Sequence, residues 1–386
     1  MSYKKWVNAE IDKAKASALS EKLNIDAFVA FLLVSRGIDD ELAASEFLSD
    51  GCRFSSPYLL KDMDKAVKRI NRALDDGESI CIYGDYDCDG VTSTALLYTF
   101  LSALGGFVSY YIPNRATDGY GMNFKAIDKI KADGTDLIIT VDNGISSIEE
   151  AEYIYSLGMQ LIVTDHHQIG ENLPRAVAVI NPHREDNEIE FRDFAGVGVA
   201  FKLACALYDG DVEDLLEDYA DYVTIGTIGD MVPLLNENRA IVKAGLKLIN
   251  TDAKIGISAL KKSTNSKAEH FSATDVAFQI CPRINAAGRM DTANLAVDLL
   301  TCEDNEIAEY KAEQLNLENT HRHEVEEKID KDIAEIMAND RAYQTDRVIV
   351  VAGHNYHKGV IGICAAHLVE LYSKPAIVIG IDDEGN

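Results

Sequence analysis

Long apolar runs are missing from this chain of 386 residues. The longest, Ala27 to Val34, falls far short of the ~18 residues that a membrane-spanning helix needs, so no span is expected. Cys-x-x-Cys pairs are missing as well. The cysteines (Cys52, Cys81, Cys88, Cys205, Cys281, Cys302 and Cys364) are scattered and odd in number, which argues against a disulfide framework or a structural zinc site. No apolar stretch ending in small residues accompanies Met1 to Trp6, so no secretory signal is expected, and a reducing cytoplasm is the expected location. Positive charge is scarce: 37 Lys and Arg stand against 64 Asp and Glu, a formal charge of −27. That balance argues against a broad basic footprint for nucleic acid. It leaves open an anion held through metal ions and a few arginines in one cleft, because net charge is a sum over the whole molecule.

What is present reads as a folded α/β chain. Hydrophobic residues make up 47% and charged residues 26%, an ordinary globular composition, and the length suits two or three domains at ~150 residues each. From Trp6 to Leu48 apolar residues recur at helical spacing, with Leu23, Ile25, Phe28, Val29, Leu32 and Leu33 forming one stripe. After Asp62, short apolar runs alternate with helical stretches, the pattern of a buried, mainly parallel sheet. Strands are predicted at Ser79 to Tyr83, Val108 to Ile112, Leu137 to Val141, Leu161 to Thr164 and Ala176 to Ile180. Helices are predicted at Phe201 to Leu207 and Val212 to Ile228, and Asn305 to Met337, free of Pro and Gly, as one long connecting helix. A second α/β pattern follows, with a strand at Arg347 to Val351, a helix at Gly359 to Leu371 and a strand at Ala376 to Ile379. The expected organisation is a helical N-terminal unit over 1–60, the main sheet domain over 61–235, a helical connector over 236–340 and a partial second lobe over 341–386.

The chemistry-bearing residues follow predicted strands, where ligand crevices of parallel sheets lie. After the first comes Gly84-Asp85-Tyr86-Asp87-Cys88-Asp89-Gly90-Val91-Thr92-Ser93, whose alternating carboxylates suit a hard divalent cation. An EF-hand is disfavoured, because its twelfth position needs Glu and Leu96 stands there. The Asp-x-Asp-Gly-Val core also resembles the nucleophile loop of haloacid dehalogenase-type phosphatases, and a solvated acidic turn is the plain alternative. After the third strand comes Asp142-Asn143-Gly144, which alone reads as a turn. After the fourth comes Asp165-His166-His167. Adjacent strand histidines point to opposite sides, so one is expected to coordinate metal while the other faces substrate or a neighbouring carboxylate. Asp230, alone among apolar residues in Gly226 to Pro233, has to be capped, paired or metal-bound. Together these segments suit a two-metal hydrolase acting on a phosphate ester.

In this order the segments resemble the motifs of the DHH phosphoesterase superfamily. Asp85 to Ser93, Gly196 to Lys202, Gly226 to Leu234 and Arg283-Ile284-Asn285-Ala286-Ala287-Gly288-Arg289-Met290 resemble its RecJ branch, the single-strand-specific DNA exonucleases. Ser35 to Ile38, Phe47-Leu48 and His357 to Ile363 look like that branch too, so the resemblance covers nearly the whole chain. It implies two Mn2+ ions, with Mg2+ as an alternative: one held by Asp85, Asp87 and Asp142, the second by Asp142, Asp89, His166 and Asp230. Asp165 would orient, and His167 would contact the scissile phosphate or act as general acid. Asn114, Arg115, Arg283, Asn285, Arg289 and His357 would bind the strand, the residues from Arg283 to Arg289 being expected in a Gly/Ala-rich turn; Tyr110, Tyr111 and Tyr120 could stack on bases. The implied activity is 5′-to-3′ hydrolysis of single-stranded DNA to mononucleotides in recombination and repair, by a monomer working with a helicase and a single-strand-binding protein. Two departures stand out: His367 replaces a family Arg or Lys, and the substrate motif expected beyond the last strand of a DHHA1-like lobe, with its Gly-Gly-His and Ala-Ala-Gly elements, is absent because the chain ends at Asn386. The chain is therefore expected to be a fragment of a longer protein or to grip substrate less.

Overall fold

A computed structural model of the chain describes residues 7, 10–49, 53–115, 118–119, 121–290, 293–340 and 342–382. Met1 to Trp6, Cys52, Tyr120 and the terminal Gly385-Asn386 lie outside the described residues.

Three short helices, α1 (Lys13–Leu23), α2 (Ala27–Ser35) and α3 (Glu41–Leu48), open the described chain. Each begins at an aspartate, Asp12, Asp26 or Asp40, whose carboxylate accepts from first-turn N–H groups that would otherwise lack partners. They close over a small core of Leu19, Ala30, Leu33 and Ala44.

The main domain follows in the order α4 (Met63–Asp76), β1 (Ser79–Tyr83), α5 (Cys88–Ala103), β2 (Phe107–Tyr111), α6 (Phe124–Ala132), β3 (Leu137–Val141), α7 (Ile148–Ser156), β4 (Gln160–Thr164), β5 (Ala178–Ile180), α8 (Gly196–Leu207) and α9 (Val212–Gly229). The strands form one parallel sheet in the order β2-β1-β3-β4-β5. Their sequences are almost continuously apolar because helices cover both faces. Alternation assigns Ile80, Ile82, Ile139 and Val141 to the face under α4, α5 and α8, and Cys81, Tyr83, Ile138 and Val163 to the face under α6 and α7.

Further helices extend the first of these cores: α10 (Asn236–Thr251), α11 (Ile255–Ser263), the short α12 (Ala273–Asp275), α13 (Cys281–Met290) and α14 (Asn294–Leu300). The predicted connecting helix is α15 (Asn305–Asn339), followed by the single turn α16 (Ala342–Thr345). Its buried positions, Ala308, Ala312, Leu315, Asn319, Arg322, Glu326, Ile329, Ile333 and Met337, recur every three or four residues, so one stripe is packed. The apolar ends of that stripe enter different cores, and Asn319, Arg322 and Glu326 occupy the stretch between them. The second core belongs to the lobe of β6 (Ile349–His354), α17 (Ile361–Tyr372) and β7 (Ala376–Ile381), whose two strands pair in parallel.

Several elements start or end one to three residues from the sequence reading, and two differ from it more substantially. Helix α8 begins at Gly196 rather than Phe201. Glycines disfavour helices in isolation, but this one is required by packing: a Cβ on Gly196 would lie 2.6 Å from Asp142 Cβ. Arg283, Asn285 and Arg289 lie on α13, which continues a π-helical turn over Val276–Ile280, and not in a turn of their own. Pro282 has no N–H to donate back into the π-helical turn that α13 continues, and Gly288 lets the helix rest on the backbone of Tyr86, where a Cβ would come within 2.1 Å of the carbonyl oxygen.

Candidate metal centre

In this strand order the crevice opens between β1 and β3, and both strands end in carboxylates there. The chain leaves β1 through Gly84 and Asp85 and enters α5 at Asp87, the N-cap. Asp87 Oδ1 accepts from the N–H groups of Asp89 and Gly90, each at 3.0 Å, so the cap fixes this carboxylate by one oxygen. Asp89, within the first turn, is buried; its Oδ2 accepts from Gly196 N at 2.5 Å and its Oδ1 from Val197 N at 2.9 Å. The positive end of α8 thus holds a carboxylate that burial would otherwise disfavour.

Across the crevice, Asp142 adopts a left-handed conformation (φ 60°), turning its side chain sharply back from the end of β3. Asn143 Nδ2 donates to Val141 O at 2.8 Å and to Tyr83 O at 3.1 Å, tying the ends of β3 and β1 together. From β4, His166 Nε2 lies 3.0 Å from Asp142 Oδ1, 3.7 Å from Asp89 Oδ2 and 3.8 Å from Asp230 Oδ2. Asp230 reaches in from the C-cap of α9.

Asp165 is buried and fully engaged: it accepts from the N–H groups of Ile145, His166 and His167, and its Oδ1 lies 2.7 Å from His167 Nδ1. Because β4 ends at Thr164 and Asp165 caps the residues after it, strand alternation does not govern the two histidines. Their ring centroids are 4.5 Å apart, and both rings group with Asp142.

The potential ligands gather into overlapping sets: Asp85 with Asp87 and Asp142, Asp89 with His166 and Asp230, and Asp142 with His166 and His167. Burial, reinforced by neighbouring carboxylates, pushes Asp85 up to about 7 and Asp230 up to about 6, and raises Asp89 and Asp142 well above the carboxylate range. Burial and the neighbouring His167 depress His166 to about 4, keeping the imidazole neutral as metal ligation requires. Asp165 Oδ1 raises His167, and burial of Asp165 is outweighed by its bonds to His167 and the backbone, so that carboxyl stays below its usual range. The buried Oδ1 of Asp85 finds no hydrogen-bond partner among the described residues, and Asp142 Oδ1 and His166 Nε2 face each other at 3.0 Å without a well-formed hydrogen bond. Orphaned, mutually repelling acceptors facing a neutral imidazole are what divalent cations satisfy, so the donor set fits the metal that the sequence implies.

The expected strand-binding residues ring this centre unequally. Arg115 is exposed, its guanidinium 5.2 Å from the ring centroid of Tyr86. Its neighbour Asn114 is half-buried, with its N–H donating to Asp118 at 2.9 Å. Arg289 is electrostatically close to Arg115 and Asp87 and donates to Gly359 O at 3.0 Å. Arg283 turns instead to Gln279 O (2.6 Å) and Asn316 Oδ1 (3.0 Å), and Asn285 Oδ1 accepts from Cys88 N at 2.8 Å. His357 Nδ1 accepts from Gly359 N at 3.1 Å, with His321 of α15 nearby. Tyr110 and Tyr111 are taken up in packing, against Tyr98 and Tyr83 respectively. His367 ties α17 to α15, its Nδ1 2.9 Å from Asp330 Oδ2. The backbone donors of Gly196 and Val197 were beyond sequence reasoning, since nothing local signals that they meet a carboxylate more than a hundred residues earlier.

Fold and site together define a parallel α/β protein with a carboxylate and imidazole metal centre, and residues 79–227 match the DHH family, N-terminal domain. The chain is 41% identical over 381 residues to the single-stranded-DNA-specific exonuclease RecJ of Bacillus subtilis, covering 98% of this chain and 48% of that protein. It is 33% identical to a crystal structure of exonuclease RecJ bound to manganese, with a TM-score of 0.74 and coverage of 85% and 82% of the two chains. Against RecJ in complex with Mn2+ from Thermus thermophilus the identity is 30% and the TM-score 0.80, covering 95% of this chain and 52% of that one. The chain belongs to the RecJ family. It spans about half the length of the curated relatives it matches.

Proposed function

We propose that this chain carries the catalytic part of a metal-dependent exonuclease that hydrolyses single-stranded DNA from its 5′ end to mononucleotides, in recombination and repair. The observation that carries the reading is Asp142, whose buried carboxylate belongs to two ligand sets at once. Asp85, Asp87 and Asp142 would hold one Mn2+ ion, and Asp142, Asp89, His166 and Asp230 a second, Mg2+ being an alternative. When bound, two such cations neutralise charge on a phosphate and make water a stronger nucleophile. Solved relatives hold manganese or magnesium, which supports this assignment.

The remaining roles belong to the chain's own groups. His167, oriented and kept basic by Asp165, would donate a proton to the leaving oxygen or hydrogen-bond the scissile phosphate. Arg115 and Arg289, whose guanidinium groups are near enough to repel one another, would hold a backbone or terminal phosphate. His357 and Asn114 would line the strand's path, and Arg283 would act from α13. A helicase and a single-strand-binding protein as partners, a monomeric state and a cytoplasmic location rest on family resemblance. No helix among the described residues is long and apolar enough to cross a membrane.

The test is digestion of a single-stranded oligonucleotide labelled at either end, with and without Mn2+, by the protein and by Asp142→Ala. Release of the 5′-terminal mononucleotide that needs both Mn2+ and Asp142 is the expected result. Cleavage of a small phosphodiester without release from the oligonucleotide would contradict the exonuclease reading and favour a DHH-type phosphodiesterase acting on short substrates.

A further inference from the structure

We infer that Asn285 is a positioning residue for the metal-ligand loop, acting on Asp87 and Asp89 through the backbone of Cys88, and not a contact to the DNA strand. The inference rests on the reading of Asp87 and Asp89 as metal ligands.

The first turn of any α-helix leaves its leading N–H groups without partners. In α5 these belong to Cys88, Asp89 and Gly90, and the segment carrying them also carries the ligands. Asp87 satisfies Asp89 N and Gly90 N. Cys88 N is satisfied from 197 residues away, by Asn285 Oδ1 at 2.8 Å. Losing that acceptor would free the one leading N–H that Asp87 does not hold, at the residue between two ligands.

Further close contacts seat α13 and α9 against the loop, with Asn285 as the side chain that reaches its backbone. Gly288, one turn on, lies so close to the loop that a Cβ there would sit 2.1 Å from Tyr86 O and 3.0 Å from Tyr86 C. The thiols of Cys88 and Cys281 both lie on Ile225 O, at 3.7 and 3.5 Å. Gly229, just before the ligand Asp230, has no room for a side chain, because a Cβ would lie 2.9 Å from Cys88 Sγ. Helices α5, α9 and α13 therefore meet around Cys88, and α13 contributes a side-chain acceptor, Asn285 Oδ1, to the loop's backbone. The acceptor is neutral, which suits a loop already crowded with the carboxylates of Asp85, Asp87 and Asp89.

The test measures Mn2+ affinity by electron paramagnetic resonance, and separately the affinity for a fluorescent single-stranded oligonucleotide in EDTA, for wild type and three variants. Asn285→Ala and the near-isosteric Asn285→Leu remove the acceptor; Asn285→Asp retains it and adds a negative charge. The expected result is Mn2+ binding weakened about tenfold in the Ala and Leu variants, the worth of one hydrogen bond at a strategic N–H. Asn285→Asp should keep Mn2+ affinity within about threefold of wild type, because its oxygen still accepts from Cys88 N. Oligonucleotide affinity in EDTA should be unchanged in the Ala and Leu variants. Unchanged Mn2+ affinity in both, with oligonucleotide binding weakened most by Asn285→Asp, would overturn the inference and make Asn285 a phosphate contact. A wild-type chain that binds no Mn2+ would overturn the metal reading and this inference together. One that binds Mn2+ without digesting DNA would overturn only the exonuclease reading, and the variants' Mn2+ affinities would still decide the role of Asn285.

Discussion

Substituting Gly196 by alanine probes the centre at its tightest point. A Cβ at this position would lie 2.6 Å from Asp142 Cβ, 2.8 Å from its Oδ1 and 2.9 Å from its Cα, whereas ordinary contact begins near 3.4 Å. Something has to move by about 0.8 Å, the difference between 3.4 and 2.6 Å. Asp142 is held at the end of β3 in a left-handed conformation, and α8 is held by the bonds of Gly196 N and Val197 N to Asp89. Either accommodation displaces a ligand: moving β3 displaces Asp142, and moving α8 releases Asp89. Overpacking of this kind costs ~1–3 kcal/mol, and a misplacement near 1 Å in a catalytic array costs about a hundredfold in rate. Gly196→Ala should therefore keep the fold, with its melting temperature lowered by a few degrees, while turnover in Mn2+ falls by about two orders of magnitude and Mn2+ affinity drops. Denaturation scans, Mn2+ titration and oligonucleotide digestion read the three effects. Wild-type turnover and wild-type Mn2+ affinity in a folded Gly196→Ala protein would refute the claim that the approach of α8 fixes Asp142.

The carboxyls of Asp85 and Asp230, raised from 3.8 to about 7 and about 6 by burial first and Asp87 second, favour the protonated folded state. Their contribution to stability is full below pH ~4 and is lost as the pH rises through about 6 and 7, so the metal-free protein should melt lower at pH 8 than at pH 5.5, with added Mn2+ restoring most of the loss at pH 8. Metal-free melts that do not depend on pH over that window would contradict the assignment. Asp165→Asn should slow turnover about 10- to 100-fold and, by removing the group that raises His167, shift the alkaline limb of the rate profile to lower pH. An unshifted limb would exclude His167 as the titrating acid. Away from the centre, Lys202 and Glu237 form a buried pair at 2.5 Å, with Lys202 Nζ also donating to Ser55 O at 2.8 Å. Lys202→Met leaves the buried Glu237 carboxylate without its cation, held only by Ser55 N and Oγ among the described residues, and should cost about 3–5 kcal/mol in urea denaturation, and a loss below 1 kcal/mol would show the pair to be dispensable.

The strands and the polar segments that follow them were legible in the sequence for one physical reason. Parallel strands buried on both faces must be apolar throughout, so β1, β3 and β4 announce themselves, and the first polar residues after each fall at the crevice. Asp85, Asp87, Asp165 and His166 stood out from that pattern, whereas Asp142 alone read as a turn and became a candidate through the family resemblance. What it could not supply were contacts between distant segments. The start of α8 was misplaced because Gly196 and Gly198 weaken local helix propensity, while the demand for glycine comes from Asp142. The helical state of α13 was hidden by Asn285 and Gly288, whose partners are Cys88 N and Tyr86 O. The orientation of His167 towards His166 depends on a cap by Asp165 that begins after β4 has ended, where strand periodicity says nothing.

The central claim is a two-ion centre that shares Asp142. Its most direct measurement is the Mn2+ electron paramagnetic resonance spectrum and binding stoichiometry of the wild-type chain beside Asp142→Ala. Two ions per chain with an exchange-coupled spectrum, reduced in Asp142→Ala to weak binding without coupling, is the predicted result. A single uncoupled ion in the wild type, or two coupled ions that persist without Asp142, would contradict it.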